Sequence, residues 1–514
     1  MAVVEPVVMV TVERERQQLE NRLKVLLLCL FLAAACILYL NKSNKSNKMN
    51  LRIGYEYQEA IENLDPANIK TIYQSNLIEN FYSRILEYST EGNLICVLCN
   101  KFWIEENIIY FEFKDNLQTI DGFKITAKDA ESSLKRLIKL STNTHGNLKN
   151  FIDTKSEHSI SSTKNVLQIK LIKAHYSQFF LPLLTSMDFS IVPEKSLNNA
   201  FIDYRNTSGP YYLDTKDNSK LVLLANPYHP LYSDEMFKRL EIVSIDYGDG
   251  VDAFLRNDID VLDITYYPGL PQYEKLFNQT NKKFTYAKTA LMNVFLLNFS
   301  SDSAKKFSSE ELFRAAGIIS KVCLSFKKYG YGFQEVFEFV QSNGSGHLNH
   351  VQMNEIKKMR LKTESFKNNR PVVLGVHEAS YEKMKEAFVM HPEIEVKSYP
   401  RNPLSYSRKE RPDVFLQTTD SSFNEDISLL SYNFSMEFFG FTREKGEQWI
   451  NEFIEISDKE TRIKKLQDFQ FNLLKTPIIY PIGASPYWAI ANEDLDLNFS
   501  ENFPGSTWWK IRKK

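Results

Sequence analysis

A chain of 514 residues is too long for one ordinary hydrophobic core and predicts two or three domains. Its 43% hydrophobic and 25% charged residues are those of a folded globular protein. A formal net charge of −1 gives no electrostatic reason to expect nucleic acid as a partner. Aromatic residues make up 13%, which is read first as large cores and second as a stacking cleft.

In chain order, residues 1–24 form a polar tail of mixed charge, read as a short cytoplasmic segment or an over-extended translation start. Residues 25–40 are an apolar run that would cover about 24 Å as a helix, slightly short for spanning and sufficient for export. This run is expected to be a transmembrane or signal-anchor segment. Leu32-Ala33-Ala34-Ala35-Cys36 imperfectly matches a lipoprotein cleavage site, so lipidation at Cys36 stays open beside an uncleaved anchor. Residues 41–50 are low-complexity, rich in Asn, Lys and Ser, and read as a flexible tether.

The body opens with a strand at Leu51-Arg52-Ile53-Gly54-Tyr55, a turn at Leu64-Asp65-Pro66 and an amphipathic helix around 75–86. Cys96 and Cys99 lie in an apolar stretch read as one strand. Residues three apart on a strand point to opposite faces about 10 Å apart, so the pair is expected to be two buried thiols. Residues 108–114 alternate as a half-buried strand, with Ile109, Phe111 and Phe113 inward. Asp121-Gly122 is turn chemistry, and Thr126 followed by Asp129 marks a helix N-terminus. Residues 141–165 show no periodicity and read as surface, before a strand at 166–172. Ser208-Gly209-Pro210-Tyr211 is a turn into a hairpin that ends at Asn226-Pro227-Tyr228. A helix, a turn at Asn257-Asp258 and a strand follow to Asp263. Residues 290–299 are a strongly apolar strand, and Ser308 with Glu311 caps the next helix. Strand, helix, strand over 371–396 is a βαβ unit, with a further strand ending near Asp420. The tail holds a strand at 477–481, another at 487–490, and Trp508-Trp509, expected to pack back against the first half of the body.

The stretch Asp121-Gly122-Phe123-Lys124-Ile125-Thr126-Ala127-Lys128-Asp129-Ala130, continued by Ser133-Leu134-Lys135-Arg136-Leu137, resembles the signature of the family 5 extracellular solute-binding proteins. The Leu-Asp-Pro turn, the Ser-Gly-Pro-Tyr hairpin, the 250–263 unit, the Phe-Asn strand and the return strand resemble that family's segments in the same order. The resemblance implies an α/β bilobal fold of the periplasmic-binding-protein type II kind, with mixed sheets and two lobes joined by hinge strands. The expected layout is lobe I at 51–290 with a small subdomain inserted at about 75–175, lobe II at 291–485, and a return to lobe I at 486–514.

The resemblance further implies a receptor of an ABC-type importer that closes on oligopeptides or dipeptides and delivers them to a permease, on the periplasmic side of the membrane. Nickel, haem or an oligosaccharide as ligand, and a sensor or scaffold that has lost its ligand, stay open. By position, Asp420 matches the family's aspartate for the ligand ammonium, with Thr418 and Thr419 beside it and Gln417 and Thr418 replacing a glycine and a tryptophan. No catalytic residue, resident cofactor or metal is expected. There is no Gly-x-Ser-x-Gly or His-Glu-x-x-His, the 344–347 loop lacks the Lys-Ser/Thr of a phosphate loop, and His347 with His350 lacks a third ligand. Trp103 and Trp488 are read as core.

Overall fold

The structure is a computed structural model that describes residues 50–55, 64–69, 72–89, 91–140, 148–198, 201–217, 219–246, 249–263, 276–277, 281–325, 333–342, 344–361, 370–399, 410–419, 426–435, 437–499 and 507–514. The apolar run 25–40, Cys36, the tether up to residue 49 and Asp420 lie outside the described residues. Among the described residues no helix is long and apolar enough to cross a membrane.

Two large sheets and one small one carry the chain. The seven-stranded sheet runs in the order Tyr211–Lys216, Lys220–Ala225, Arg239–Ser244, Asn50–Tyr55, Val261–Leu262, Trp488–Asn492, Phe284–Lys288. Asn50–Tyr55 pairs in parallel with its two neighbours, and the flanking pairs are antiparallel. The six-stranded sheet runs Gln334–Glu335, Ile479–Ser485, Asn293–Phe299, Val414–Thr419, Val372–His377, Ile394–Tyr399. Its last strands form the expected βαβ unit, parallel with the helix Glu378–Ala387 between them.

Asn293–Phe299 is buried on both faces, which explains its nearly continuous apolar sequence. Val294 and Leu296 enter one core, with helices Asp426–Ser435, Arg443–Ile454 and Lys459–Leu474, while Leu297 and Phe299 enter another, with helix Ser309–Ser325.

The small sheet, Cys99–Glu105, Ile108–Phe113, Val166–Lys170, Ile160–Thr163, is backed by helix Ala127–Leu140. Ile109, Phe111 and Phe113 are buried, as the alternation predicts. Thr126 caps the helix, its Oγ1 accepting the Lys128 N–H at 3.3 Å, while its own N–H and hydroxyl both donate to Asp129 Oδ2, at 2.8 and 2.9 Å. The other oxygen of Asp129 accepts Glu194 N–H at 2.9 Å. Arg136 makes a paired contact with Asp65 of the Leu-Asp-Pro turn, at 2.9 and 2.5 Å.

Gly209 sits against backbone. A Cβ there would lie 2.3 Å from the carbonyl carbon of Phe81, and Gly209 N–H donates to Phe81 O at 2.8 Å. Asn257 has φ +62°, the left-handed region that asparagine tolerates best after glycine.

Four expectations are corrected. Cys96 and Cys99 form a disulfide with Cα atoms 5.0 Å apart. Cys96 ends strand Leu94–Cys96 and Cys99 opens the next strand, so the chain turns at Val97-Leu98 and brings the two together. Trp103 is paired with Tyr110 on the outer face of the small sheet, rings stacked 5.1 Å apart, because Phe102 takes the inward position beside Phe111. Within 141–165 there is a regular strand, Ile160–Thr163, whose polar sequence suits a sheet edge. The first helix covers Ile72–Ile78, and the chain is turn and extended by Leu86. Trp488 is buried, and Trp508 and Trp509 pack in the core of the seven-stranded sheet, where the Trp508 indole donates to Asp263.

Candidate functional site: a two-chain hinge and the sheet face beside it

The same two chains serve both large sheets. Phe284–Lys288 and Trp488–Asn492 pair up to the rung Lys288–Trp488 in the first sheet. Their continuations, Asn293–Phe299 and Ile479–Ser485, pair from the rung Asn293–Ser485 in the second. Between the sheets stand only residues 289–292 on one chain and 486–487 on the other. These short segments hold each other: Thr289 N–H donates to Tyr487 O at 3.0 Å, and Tyr487 N–H donates to Thr289 Oγ1 at 2.9 Å. Gln341 Nε2 ties Met292 O at 2.8 Å, and Met292 packs with Tyr487. Rotation of one sheet relative to the other requires dihedral changes at few residues here, the arrangement of a hinge.

Immediately beyond the hinge, one face of the six-stranded sheet carries polar side chains around the paired rings of Phe295 and Phe333, whose centroids lie 5.4 Å apart. Directly opposed residues share a face, and so do residues two apart on a strand. Asn293 faces Ser485, and Phe295 faces Thr418 on one side and Gly483 on the other. Glu335 joins the same row through Gly483. Thr418 and Glu335 are exposed, Phe295 is half-buried, and Asn293 and Ser485 are each 1% exposed. Neither Asn293 Nδ2 nor Ser485 Oγ has a hydrogen-bond partner.

Of the sequence-predicted residues, Thr418 therefore lies on this face. Thr419 is the last residue of its strand and pairs through its backbone with Val294. Sequence reading missed Asn293, Phe295 and Ser485. The available signal was a carboxamide interrupting an otherwise apolar run, Leu291-Met292-Asn293-Val294-Phe295.

A second link joins the small sheet's region to the six-stranded sheet's helices. Phe179 packs on Phe453, ring centroids 6.2 Å apart, and Arg462 lies over the Phe179 ring while its Nη2 donates to Gln178 at 2.9 Å. Lys173 and the Tyr176 hydroxyl both meet the Glu455 carboxylate. These hydrogen bonds hold Glu455 below its ordinary range, Lys173 contributing most.

One serine–histidine contact resembles a nucleophile and its base: Ser83 Oγ lies 2.8 Å from His229 Nε2. However, His229 Nδ1 accepts Leu231 N–H at 3.2 Å, so Nε2 carries the proton and donates to Ser83. Burial, with Lys114 adding to it, pushes the imidazole down to about 3. A buried ring in this tautomer cannot take the serine's proton, so the pair is structural. His347 Nδ1 lies 2.8 Å from Glu338, and His350 opens the helix His350–Leu361. Among the described residues no group of three or more His, Cys, Asp or Glu is placed to hold a metal ion.

Comparison with known proteins bears on this geometry. Residues 105–316 match the family model described as bacterial extracellular solute-binding proteins, family 5 Middle. A binding protein of Haemophilus influenzae is 24% identical over 261 residues, 46% of this chain and 48% of that protein, so the match spans about half the relative's length.

Solved structures cover far more of the chain. The Escherichia coli murein tripeptide binding protein MppA shares 16% identity with a TM-score of 0.70 over 90% of this chain and 98% of its own. Haemophilus influenzae OppA in complex with RPPGFSPFR shares 14% identity, TM-score 0.68, over 90% and 99%. Staphylococcus aureus NikA in complex with Ni(L-His)2 shares 14% identity, TM-score 0.67, over 91% and 100%. At such identities the structures establish the α/β bilobal fold, and the segment 105–316, which carries the Asp-Gly turn and the helix that follows it, is similar to the family 5 extracellular solute-binding proteins.

Proposed function

We propose that this chain is the peptide-binding component of an ABC-type importer, closing its two lobes on an oligopeptide or dipeptide and presenting the closed form to a permease. The observation that carries the reading is the sheet face beside a hinge of two short segments. A ligand held between the lobes shifts the open–closed equilibrium by its differential affinity for the closed form. In this reading the lobes divide at 289–292 and 486–487, and the small sheet forms a subdomain inserted in lobe I.

Peptide as the ligand class is supported by two of the structural relatives, one described as a tripeptide-binding protein and one solved with RPPGFSPFR. Asp420, one residue beyond Thr419, is the proposed partner of the ligand's ammonium group, an ionised contact worth about 1.5–3 kcal/mol. Residues 25–40 tether the body to the membrane, as an anchor or through lipid on Cys36. The Cys96–Cys99 disulfide fits a body exposed to an oxidising compartment.

Native mass spectrometry of the purified body tests the ligand class. Co-purifying peptides are the expected result. Nickel, haem or an oligosaccharide would replace the peptide reading while keeping the fold, and an empty protein that binds none of them would favour a sensor or scaffold. Asp420→Asn is expected to weaken peptide affinity by about tenfold or more, measured calorimetrically. Unchanged affinity removes Asp420 from the site.

A further inference from the structure

We infer that Asn293 and Ser485 are an amide-binding pair that engages one main-chain amide of the ligand, the Asn293 carboxamide donating to its carbonyl oxygen and the Ser485 hydroxyl bonding its N–H. The inference rests on the peptide reading above. Both side chains are 1% exposed, yet Asn293 Nδ2 and Ser485 Oγ have no hydrogen-bond partner. A buried polar group left unmatched costs about 1–3 kcal/mol, so two at one rung need an explanation.

Their position supplies one. They are direct cross-strand partners on the last rung before the hinge, on the face that carries Phe295 and exposed Thr418. Opposed residues have Cβ atoms about 4.5–5.5 Å apart, near enough for both side chains to converge on one planar group. The pair is neutral and offers both a donor and an acceptor. That combination matches a secondary amide, whereas a carboxylate or a metal ion would call for charge or for more oxygen, nitrogen or sulfur ligands. The neighbouring segments are anchored without these atoms: Gln341 holds Met292 O, and Thr289 holds Tyr487. Hinge integrity therefore does not depend on the pair.

The test combines stability and affinity. In Asn293→Leu/Ser485→Ala the ligand-free melting temperature is expected to stay level or rise, because two unmatched groups are removed. Affinity for tri-, tetra- and penta-alanine is expected to fall at least tenfold. In a second arm, alanine peptides carrying one ester in place of an amide are scanned. Wild type should lose affinity at one position, and Ser485→Ala should be indifferent to that swap. A lowered melting temperature with unchanged affinity would overturn the inference, assigning the pair to a buried water. Equal ester sensitivity in wild type and Ser485→Ala would overturn it too. Wild type that binds none of these peptides overturns the peptide reading and this inference with it. Wild type that binds them as tightly as the double variant does overturns the inference alone.

Discussion

The signature helix Ala127–Leu140 and the hinge strand Asn293–Phe299 both place polar side chains in buried surroundings, and they treat them in opposite ways. On the helix the polar groups are matched. Asp129 accepts from Thr126 and from Glu194, and Glu131 meets Lys128, Lys135 and Ser162. Arg136 reaches the Leu-Asp-Pro turn at Asp65. On the strand, Asn293 Nδ2 is buried and unmatched beside Ser485 Oγ. The stretch most recognisable in the sequence is thus a brace that joins a helix to two loops. The binding chemistry is proposed where polar groups have been left unsatisfied.

Breaking the brace should cost stability while sparing ligand affinity in the folded fraction. The largest effect is expected from Asp129→Ala, which orphans the Thr126 and Glu194 N–H groups together. A loss of about 2–4 kcal/mol in denaturant unfolding is expected, above a cap alone because a second element is released. A loss below about 0.5 kcal/mol would show that the brace is dispensable.

Gly209→Ala comes next. The added Cβ meets the Phe81 carbonyl carbon at 2.3 Å, and backbone has to move, which overpacking series put at about 1–3 kcal/mol. Retained stability in the same unfolding assay would mean the Phe81–Gly209 approach relaxes freely.

The smallest effect is a change in pH dependence. Burial alone would raise the Glu131 carboxyl, but hydrogen bonds from Lys135, Ser162 and Lys128 outweigh it and hold the group at about 2, against an ordinary 4.5. A depressed folded value contributes stability above the unfolded value that is lost as pH falls from about 4.5 toward about 2. Glu131→Gln should therefore flatten the acid limb of a thermal-stability profile in that window, and an unchanged limb would contradict the pairing.

Much of the fold was legible because local chemistry and tertiary role agree. The alternation of Ile109, Phe111 and Phe113 sets the buried face of the small sheet, and Thr126 with Asp129 starts the helix. Asn257 holds the expected turn at Asn257-Asp258 with a positive φ, a conformation that asparagine tolerates better than most residues. Failures came where periodicity was pushed across a turn. Cys96 and Cys99 looked like one strand, and the turn at Val97-Leu98 is itself apolar and buried, which hid it. Trp103 was assigned to the core by its type alone, whereas its cross-strand partner Tyr110 decides its face.

The candidate site was the least legible part. Thr418, Asn293 and Ser485 come from three strands far apart in the chain and meet only through the sheet's pairing. Sequence position pointed to Thr418 and Thr419. The opposed pair at the hinge rung emerges only from register.

The central claim is closure of two lobes about residues 289–292 and 486–487. Small-angle X-ray scattering of the body, with and without saturating peptide identified by native mass spectrometry, tests it most directly. Closure predicts a saturable fall in radius of gyration on binding, with a midpoint that tracks the calorimetric affinity. Peptide bound at full occupancy with an unchanged radius and scattering profile would contradict it.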